Sequence, residues 1–406
     1  MSYNKDTFCM MTHKGFFVQP DRKVKPCCIF TDFDTPVLFD ESKTYEEMIN
    51  SPQFMDLRNK MDNGIVHKGC SACFSGKSPM RQGLNTFLFN DDYNVLKNIL
   101  PESKKATDIW YLDLRLSNLC NFKCRMCNDT YSSSWAQELT KLKLPLSNDK
   151  FSMLSDSYLN QIVKKIKDLK YLYLGGGEPF IMKETFELLR ILTDEHKSKI
   201  TLALNTNLSN LTYKGIDIID ELGKFKDVYF NVSCDGIGEI GEYQRTGFET
   251  ETFKHNVLRV LESATKYPQF NVGFTYAIGA VNLFHLPKFV EYVSETFKLE
   301  PKHCVDLQFI EFPWYYNVGN SSEEFLNRAK SFILDYMDQL EPGQLKNRLE
   351  DYYKFIQRDF YIPTGQQFET EIRKTRIVDK HRNESLLDIA PWVDEHIIKY
   401  NSKNII

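Results

Sequence analysis

Cys120-Asn121-Phe122-Lys123-Cys124-Arg125-Met126-Cys127 reads C-x3-C-x2-C and directly follows the strand-like run Ile109-Trp110-Tyr111-Leu112-Asp113-Leu114-Arg115-Leu116-Ser117. Three thiolates this close in sequence converge on one small object. A four-iron cluster held by three cysteines keeps its fourth iron open to chelate a substrate or cofactor, whereas a four-cysteine cluster is closed. A zinc site normally takes four protein ligands in spaced pairs, so a lone triplet fits zinc poorly. Buried structural thiols are the remaining alternative. Phe122, between the first two cysteines, would shield a cluster from water.

Working outward from the triplet, strand-like and helix-like segments alternate from about residue 107. Strand runs fall at 109–117, 169–175, 199–205, 227–234, 270–279 and 304–312, with helical patterns between them. One helix is marked by Leu286, Phe289, Val290, Val293 and Phe297, with Pro287 near its start. Six strands separated by helices imply a parallel sheet with right-handed crossovers, two units short of a full eight-unit barrel. The expected fold is α/β: a partial (β/α)6 barrel over 101–320, preceded by a small cysteine-rich module over 1–100 and followed by a mainly helical extension over 321–406. In the extension, Ser321 and Glu324 are read as a capping box. Ligands of such sheets bind at the carboxyl ends of the strands, which is where the triplet lies.

Further motifs fall at the same ends. Gly175-Gly176-Gly177-Glu178-Pro179 follows the second strand; glycines let a backbone approach a ligand closely, and a carboxylate accepts from an ammonium group. An ordinary strand-to-helix turn is the plainer reading. Leu204-Asn205-Thr206-Asn207 ends the third strand, where the asparagines are either turn formers or ligand contacts. Val232-Ser233-Cys234-Asp235-Gly236 ends the fourth, and small polar groups there can bond ribose hydroxyls. Glu242-Tyr243-Gln244-Arg245-Thr246-Gly247 follows, with an arginine suited to bidentate pairing with a carboxylate or, more plainly, to the surface of a short helix. Thr275 to Ile278 and Asn282 are placed by position alone to reach a base or ribose.

Together these motifs resemble the radical S-adenosylmethionine (radical SAM) superfamily, whose signature is C-x3-C-x-aromatic-C. Met126 stands where the aromatic usually stands, at a shielding position. The resemblance covers roughly 107–320. It implies that Cys120, Cys124 and Cys127 are catalytic and hold a 4Fe–4S cluster. It implies further that S-adenosylmethionine is bound by Gly176, Gly177 and Glu178 at its amino group, by Arg245 at its carboxylate, and by Ser233 and Asp235 at its ribose. Phe122 and Asn205 complete the implied cofactor-binding set. Reductive cleavage of the cofactor would give a 5′-deoxyadenosyl radical that abstracts hydrogen from substrate, with the protein binding, orienting and excluding water. An electron donor such as flavodoxin or ferredoxin is then an implied partner.

A second cysteine set precedes the triplet: Cys9, Cys27, Cys28, Cys70 and Cys73. The C-x2-C pair plus two distant cysteines supplies four thiolates, enough to close an iron–sulfur cluster or a zinc site. Cys27 fits the pattern better than Cys28. The arrangement resembles the SPASM and twitch auxiliary-cluster modules, although those usually follow the barrel and carry a glycine where Arg22 stands. The resemblance implies a second 4Fe–4S cluster on Cys9, Cys27, Cys70 and Cys73, with zinc as the alternative.

The formal charge of −4 over 406 residues argues against a non-specific nucleic-acid binder. Ten cysteines behind an N-terminus without a secretion-signal layout point to a reducing, cytoplasmic setting. No apolar run approaches the ~18 residues that suggest a membrane span. The expected substrate is a peptide or protein. A small-molecule dehydrogenase or other modifier of the same superfamily is the first alternative, and a non-catalytic iron–sulfur electron carrier or scaffold the second.

Overall fold

The structure, a computed structural model, describes residues 4, 6–74, 105–146, 159, 168–358 and 365–393. The chain forms two compact units. The first takes in residues 1–119, 148–205 and 212–229; the second takes in 120–147, 206–211 and 230–406. The sheet strands, in chain order, are β1 (Gly15–Val18), β2 (Lys23–Lys25), β3 (Val37–Leu38), β4 (Tyr111–Arg115), β5 (Tyr171–Gly175), β6 (Thr201–Thr206), β7 (Asp227–Ser233), β8 (Phe270–Ile278) and β9 (Val305–Phe309). All six strand runs expected from the sequence are present.

In the first unit the strand order is β3-β2-β1-β4-β5-β6. β4, β5 and β6 pair in parallel, with Leu112 opposite Leu172 and Leu172 opposite Leu202. Period-two alternation places Leu112, Leu114, Leu172 and Leu174 on one buried face. Tyr111, Asp113 and Arg115 lie on the other, opposite Tyr171, Tyr173 and Gly175. The N-terminal module is built onto this sheet. β1 pairs in parallel with β4, Gly15 opposite Tyr111, and the antiparallel β2 and β3 follow outward. The β1–β2 turn holds Arg22 at φ 69, the left-handed conformation that glycine takes without steric cost. This is the position at which the resemblance described above leads one to expect glycine.

Two helices of the module follow this sheet edge in sequence order. Tyr45–Ile49 is opened by Thr44 and Glu47 in a reciprocal capping box. Pro52–Asp62 starts on a proline and buries Phe54, Leu57 and Met61. Arg58 is fully buried beside them and donates to the carbonyls of Thr12 (3.2 Å) and Ile49 (2.8 Å).

In the second unit β8 and β9 pair in parallel, Phe274 opposite Val305. Helices Thr250–Ser263 and Leu286–Phe297 bury Phe253, Phe289 and Phe297 around Phe274. The extension adds helices Glu323–Gln339, Gln344–Phe355, Gly365–Arg382 and Leu386–Ile389. The cap of the first is Ser322, whose hydroxyl accepts from the Phe325 amide. Ser321, expected in that role, instead donates to the Val318 carbonyl. No helix among the described residues is long and apolar enough to cross a membrane.

Candidate active site

The cysteine loop belongs to the second unit and is held from several sides. Lys123–Cys124 pairs antiparallel with Arg245–Thr246, placing Arg245 opposite Cys124 and Thr246 opposite Lys123. The Arg125 amide donates to the Gln244 carbonyl at 2.7 Å. Trp135 Nε1 donates to the Cys124 carbonyl at 2.6 Å, and Ser134 Oγ donates to the Cys120 carbonyl at 2.6 Å. Phe122 is buried, its amide lies 3.5 Å from the Cys120 sulfur, and Ser132 Oγ donates to its carbonyl. A Cβ on Gly247 would come within 2.9 Å of the Phe122 ring, so that glycine makes room for the shielding aromatic. Met126 packs against a cluster of Tyr315, Tyr316 and the extension's Leu386, with Trp392 beside it. A flexible thioether suits that irregular surface.

None of the three thiols is in a disulfide. Burial raises the Cys124 thiol against the opposing pull of Arg245, whose Nη1 lies 3.7 Å from the sulfur. Burial, then the neighbouring Cys124, pushes Cys127 up to about 12. With their pKa values raised, Cys124 and Cys127 are neutral thiols here; a bound metal would draw them to thiolates.

Asp235 is fully buried. It accepts from the Ala277 amide at 2.7 Å and pairs with Arg245 Nε at 2.6 Å. It is therefore the counter-ion that orients Arg245, a use that the expected ribose contact did not anticipate. Beside Arg245, the buried side-chain amide of Gln244 lacks a hydrogen-bond partner among the described residues, which leaves it available to a polar ligand. Ser233 closes β7. Asn207 donates to Asn121 Oδ1 at 3.0 Å, inside the cysteine loop, so it braces the loop. Asn282 is buried and donates to the Asp235 and Ala277 carbonyls, which makes it a turn brace rather than the expected base contact.

In the first unit, Gly176 and Gly177 approach the chain's own backbone. The Gly177 amide donates to the Ser117 carbonyl at 3.1 Å and the Glu178 amide to the Leu119 carbonyl at 2.8 Å. A Cβ at Gly177 would lie 2.0 Å from the Leu119 oxygen. Glu178 is fully buried and accepts from the Phe180 amide. Asn205 lies near the end of β6, two residues on from Ala203, which is opposite Tyr173.

Cys9, Cys27, Cys70 and Cys73 line one small cavity whose other walls include Met11, Pro26 and Phe30. Burial, then Cys28 and Cys9, raises Cys27; burial, then Cys9 and Cys73, raises Cys70. Cys28 does not line the cavity. Burial, then the Asp113 carboxylate, pushes it up to about 12. Asp113 is itself pushed up to about 6 by burial, against its pairing with Arg115 at 2.9 Å. Neighbouring thiols thus face different surroundings, a distinction their shared sequence position hid. Among the described residues no three Cys, His, Asp or Glu side chains are arranged to hold a metal ion. Thiolates on one zinc stand about 3.8 Å apart, from 2.3 Å bonds at tetrahedral angles; those on a four-iron cube stand farther apart.

The parallel α/β sheet thus carries two sets of cysteines, none of them in a disulfide. Residues 114–293 match the Radical SAM superfamily, and residues 9–74 match the iron–sulfur cluster-binding domain SPASM. The chain thus carries a radical SAM domain, with a SPASM domain ahead of it. These domains imply a 4Fe–4S cluster, S-adenosylmethionine and auxiliary iron–sulfur binding. A GTP 3′,8-cyclase of Campylobacter lari is 26% identical over 254 residues, covering 60% of this chain and 70% of the relative. The tungsten-containing aldehyde ferredoxin oxidoreductase cofactor-modifying protein of Pyrococcus furiosus is 26% identical, covering 49% and 55%. Among solved structures, Streptococcus suis SuiB bound to S-adenosylmethionine matches with TM-score 0.39 and 15% identity over 70% of this chain and 61% of that one. The structure of anSMEcpe with bound AdoMet and Kp18Cys peptide matches with TM-score 0.37 and 22% identity, over 55% and 60%. The chain thus spans about three fifths of these solved structures.

Proposed function

We propose that this enzyme binds a 4Fe–4S cluster on Cys120, Cys124 and Cys127 and uses it with S-adenosylmethionine to modify a peptide or protein. The observation that carries the reading is the Cys124–Arg245 pairing, with Asp235 behind the guanidinium and the unpartnered Gln244 amide beside it. When bound, the reduced cluster and S-adenosylmethionine supply a 5′-deoxyadenosyl radical that takes hydrogen from substrate. Arg245 offers its terminal nitrogens to the cofactor carboxylate while Asp235 fixes its Nε side, and Ser233 bonds the ribose. Glu178 accepts from the cofactor's amino group, with Gly176 and Gly177 holding its backbone in place and Asn205 as a further contact. Phe122 excludes water.

Residues 1–100 act as an auxiliary module in which Cys9, Cys27, Cys70 and Cys73 close a second 4Fe–4S cluster. Residues 101–320 are the catalytic core and 321–406 its helical extension. The SPASM match favours an iron–sulfur cluster over zinc and a peptide or protein as substrate. An electron donor of the flavodoxin or ferredoxin type would reduce the clusters in the cytoplasm. A second reading, a small-molecule substrate, is favoured by the GTP cyclases among the relatives.

The test is anaerobic reconstitution with iron, sulfide and S-adenosylmethionine, followed by product analysis. Slow formation of 5′-deoxyadenosine is expected, abolished in Cys124→Ala. Cleavage at the normal rate in that variant would remove the triplet from its assigned role.

A further inference from the structure

The helix Gly365–Arg382 reaches the cysteine loop through its last residue. Arg382 is buried, with 4% of its side chain exposed, and so is its partner Glu138. Its Nε lies 3.1 and 3.2 Å from the two Glu138 carboxylate oxygens. Its Nη1 donates to Thr246 Oγ1 at 2.7 Å and to the Lys123 carbonyl at 3.4 Å. The guanidinium also lies over the Trp135 ring, 4.7 Å from the centroid, and Trp135 is the residue that donates to the Cys124 carbonyl. Thr246 and Lys123 are cross-strand partners in the two-residue ribbon whose other pair is Arg245 and Cys124.

One side chain therefore bonds both strands of the ribbon, one residue away from the cofactor-binding arginine on one strand and from a cluster cysteine on the other. Only a planar fork with five donors satisfies a carboxylate, a hydroxyl and a carbonyl at once; an ammonium on a flexible stem does not hold that geometry. A second arginine supports the same connection. Arg125, between Cys124 and Cys127, pairs with Asp379 at 2.7 Å and with Glu384, and Tyr243 Oη lies 3.2 Å from Asp379. Val378 packs with Trp135 and Leu139, with Cys127 against them. Helix residues 378, 379 and 382 thus share one face turned to the loop.

We propose that Arg382 is a positioning residue for cofactor binding: by stapling the Lys123–Cys124 and Arg245–Thr246 strands together, it sets Arg245 against the cluster. The inference rests on the cofactor-binding role proposed for Arg245. It goes beyond that role in assigning the C-terminal extension a part in the radical site.

The experiment uses the full-length, anaerobically reconstituted protein. It compares Arg382→Ala, Arg382→Lys and, as a control on the same helix, the exposed Arg376→Ala. Iron content, the electron paramagnetic resonance spectrum of the reduced clusters with and without S-adenosylmethionine, and cofactor affinity are measured. Wild type and Arg376→Ala should show the same spectral change on cofactor addition. Arg382→Ala should keep its iron and its cofactor-free spectrum but bind the cofactor about tenfold more weakly, and Arg382→Lys should recover little of the loss. Unchanged affinity in Arg382→Ala, full recovery in Arg382→Lys, or loss of iron from a folded Arg382→Ala each overturns the proposal, the last by making the residue merely structural. Should Arg382→Ala fail to fold, Thr246→Val removes only the accepting hydroxyl. It should weaken binding two- to fivefold, and unchanged affinity there is equally fatal. A wild-type protein whose spectrum ignores S-adenosylmethionine would instead overturn the function proposed above.

Discussion

Replacing Gly177 by alanine should separate a steric demand from a conformational one. The new Cβ would lie 2.0 Å from the Leu119 carbonyl oxygen and 2.5 Å from its carbon. These are backbone atoms in the segment leading to Cys120, so no flexible side chain can swing aside. Relief requires the Gly176–Glu178 segment to move by more than about 1 Å, given an ordinary contact of 3.4 Å or more. That displacement breaks the Gly177–Ser117 and Glu178–Leu119 hydrogen bonds. At about 0.5–1.5 kcal/mol net for each bond, the loss is about 1–3 kcal/mol. Residual overlap of the kind that costs about 1–3 kcal/mol in a packed interior brings the sum to about 2–6 kcal/mol. Glu178, carried along, should lose its hold on the cofactor. Gly215→Ala is the comparison: it has φ 81 but nothing within 4 Å of the added methyl, so only the left-handed penalty of about 1–2 kcal/mol applies. The assay is urea unfolding of each reconstituted variant, together with S-adenosylmethionine titration. Equal destabilisation by the two substitutions, or wild-type cofactor affinity in Gly177→Ala, would refute the reasoning.

Cys27→Ala should lose the auxiliary iron while Cys28→Ala keeps it, because only Cys27 shares the cavity with Cys9, Cys70 and Cys73; iron analysis of both variants checks this. Glu371 accepts from the Trp314 amide, and burial pushes its carboxyl up from 4.5 to about 7. Its folded pKa lies above the unfolded one, so stability is greatest below about 4.5 and falls as pH rises towards about 7. Discounted for a carboxyl that still meets solvent, the loss is about 1 kcal/mol. Glu371→Gln should be the more stable protein at pH 8 and indistinguishable from wild type at pH 4.5, as measured by denaturant midpoints.

The six sheet strands from β4 to β9 were legible because alternation and strand-end glycines are local signals. β1 was not: Gly15-Phe16-Phe17-Val18 is buried at every residue and too short to show a period. The triplet stands out because three cysteines fall within eight residues, whereas Arg245 was read from its motif, and only the fold sets it opposite Cys124. The glycines were legible as a close approach, but what they approach is Ser117–Leu119, which no local pattern discloses. Cys27 and Cys28 could not be separated, since only the fold turns one to the cavity and the other to Asp113. Arg382 left no trace in the sequence. Its partners Glu138 and Thr246 lie far away along the chain, and the helix that carries it contacts the loop partly through polar side chains, which blurs its apolar period.

The parallel pairing of β1 with β4 also bears on how the chain is made. Roughly ninety residues separate Val18 from Tyr111, and closing a loop of that length costs about 4 kcal/mol of chain entropy. During synthesis the β1–β2–β3 meander leaves the ribosome with one long edge unsatisfied until β4 follows, many seconds later at about 5–20 residues per second. Through that interval the cysteines of the N-terminal cavity belong to a sheet still lacking its central neighbour. Cluster insertion before β4 docks would pin the meander by its own ligands, so the order of metallation and strand pairing becomes a determinant of yield. Expression under iron limitation, followed by pulse proteolysis, would resolve the two orders.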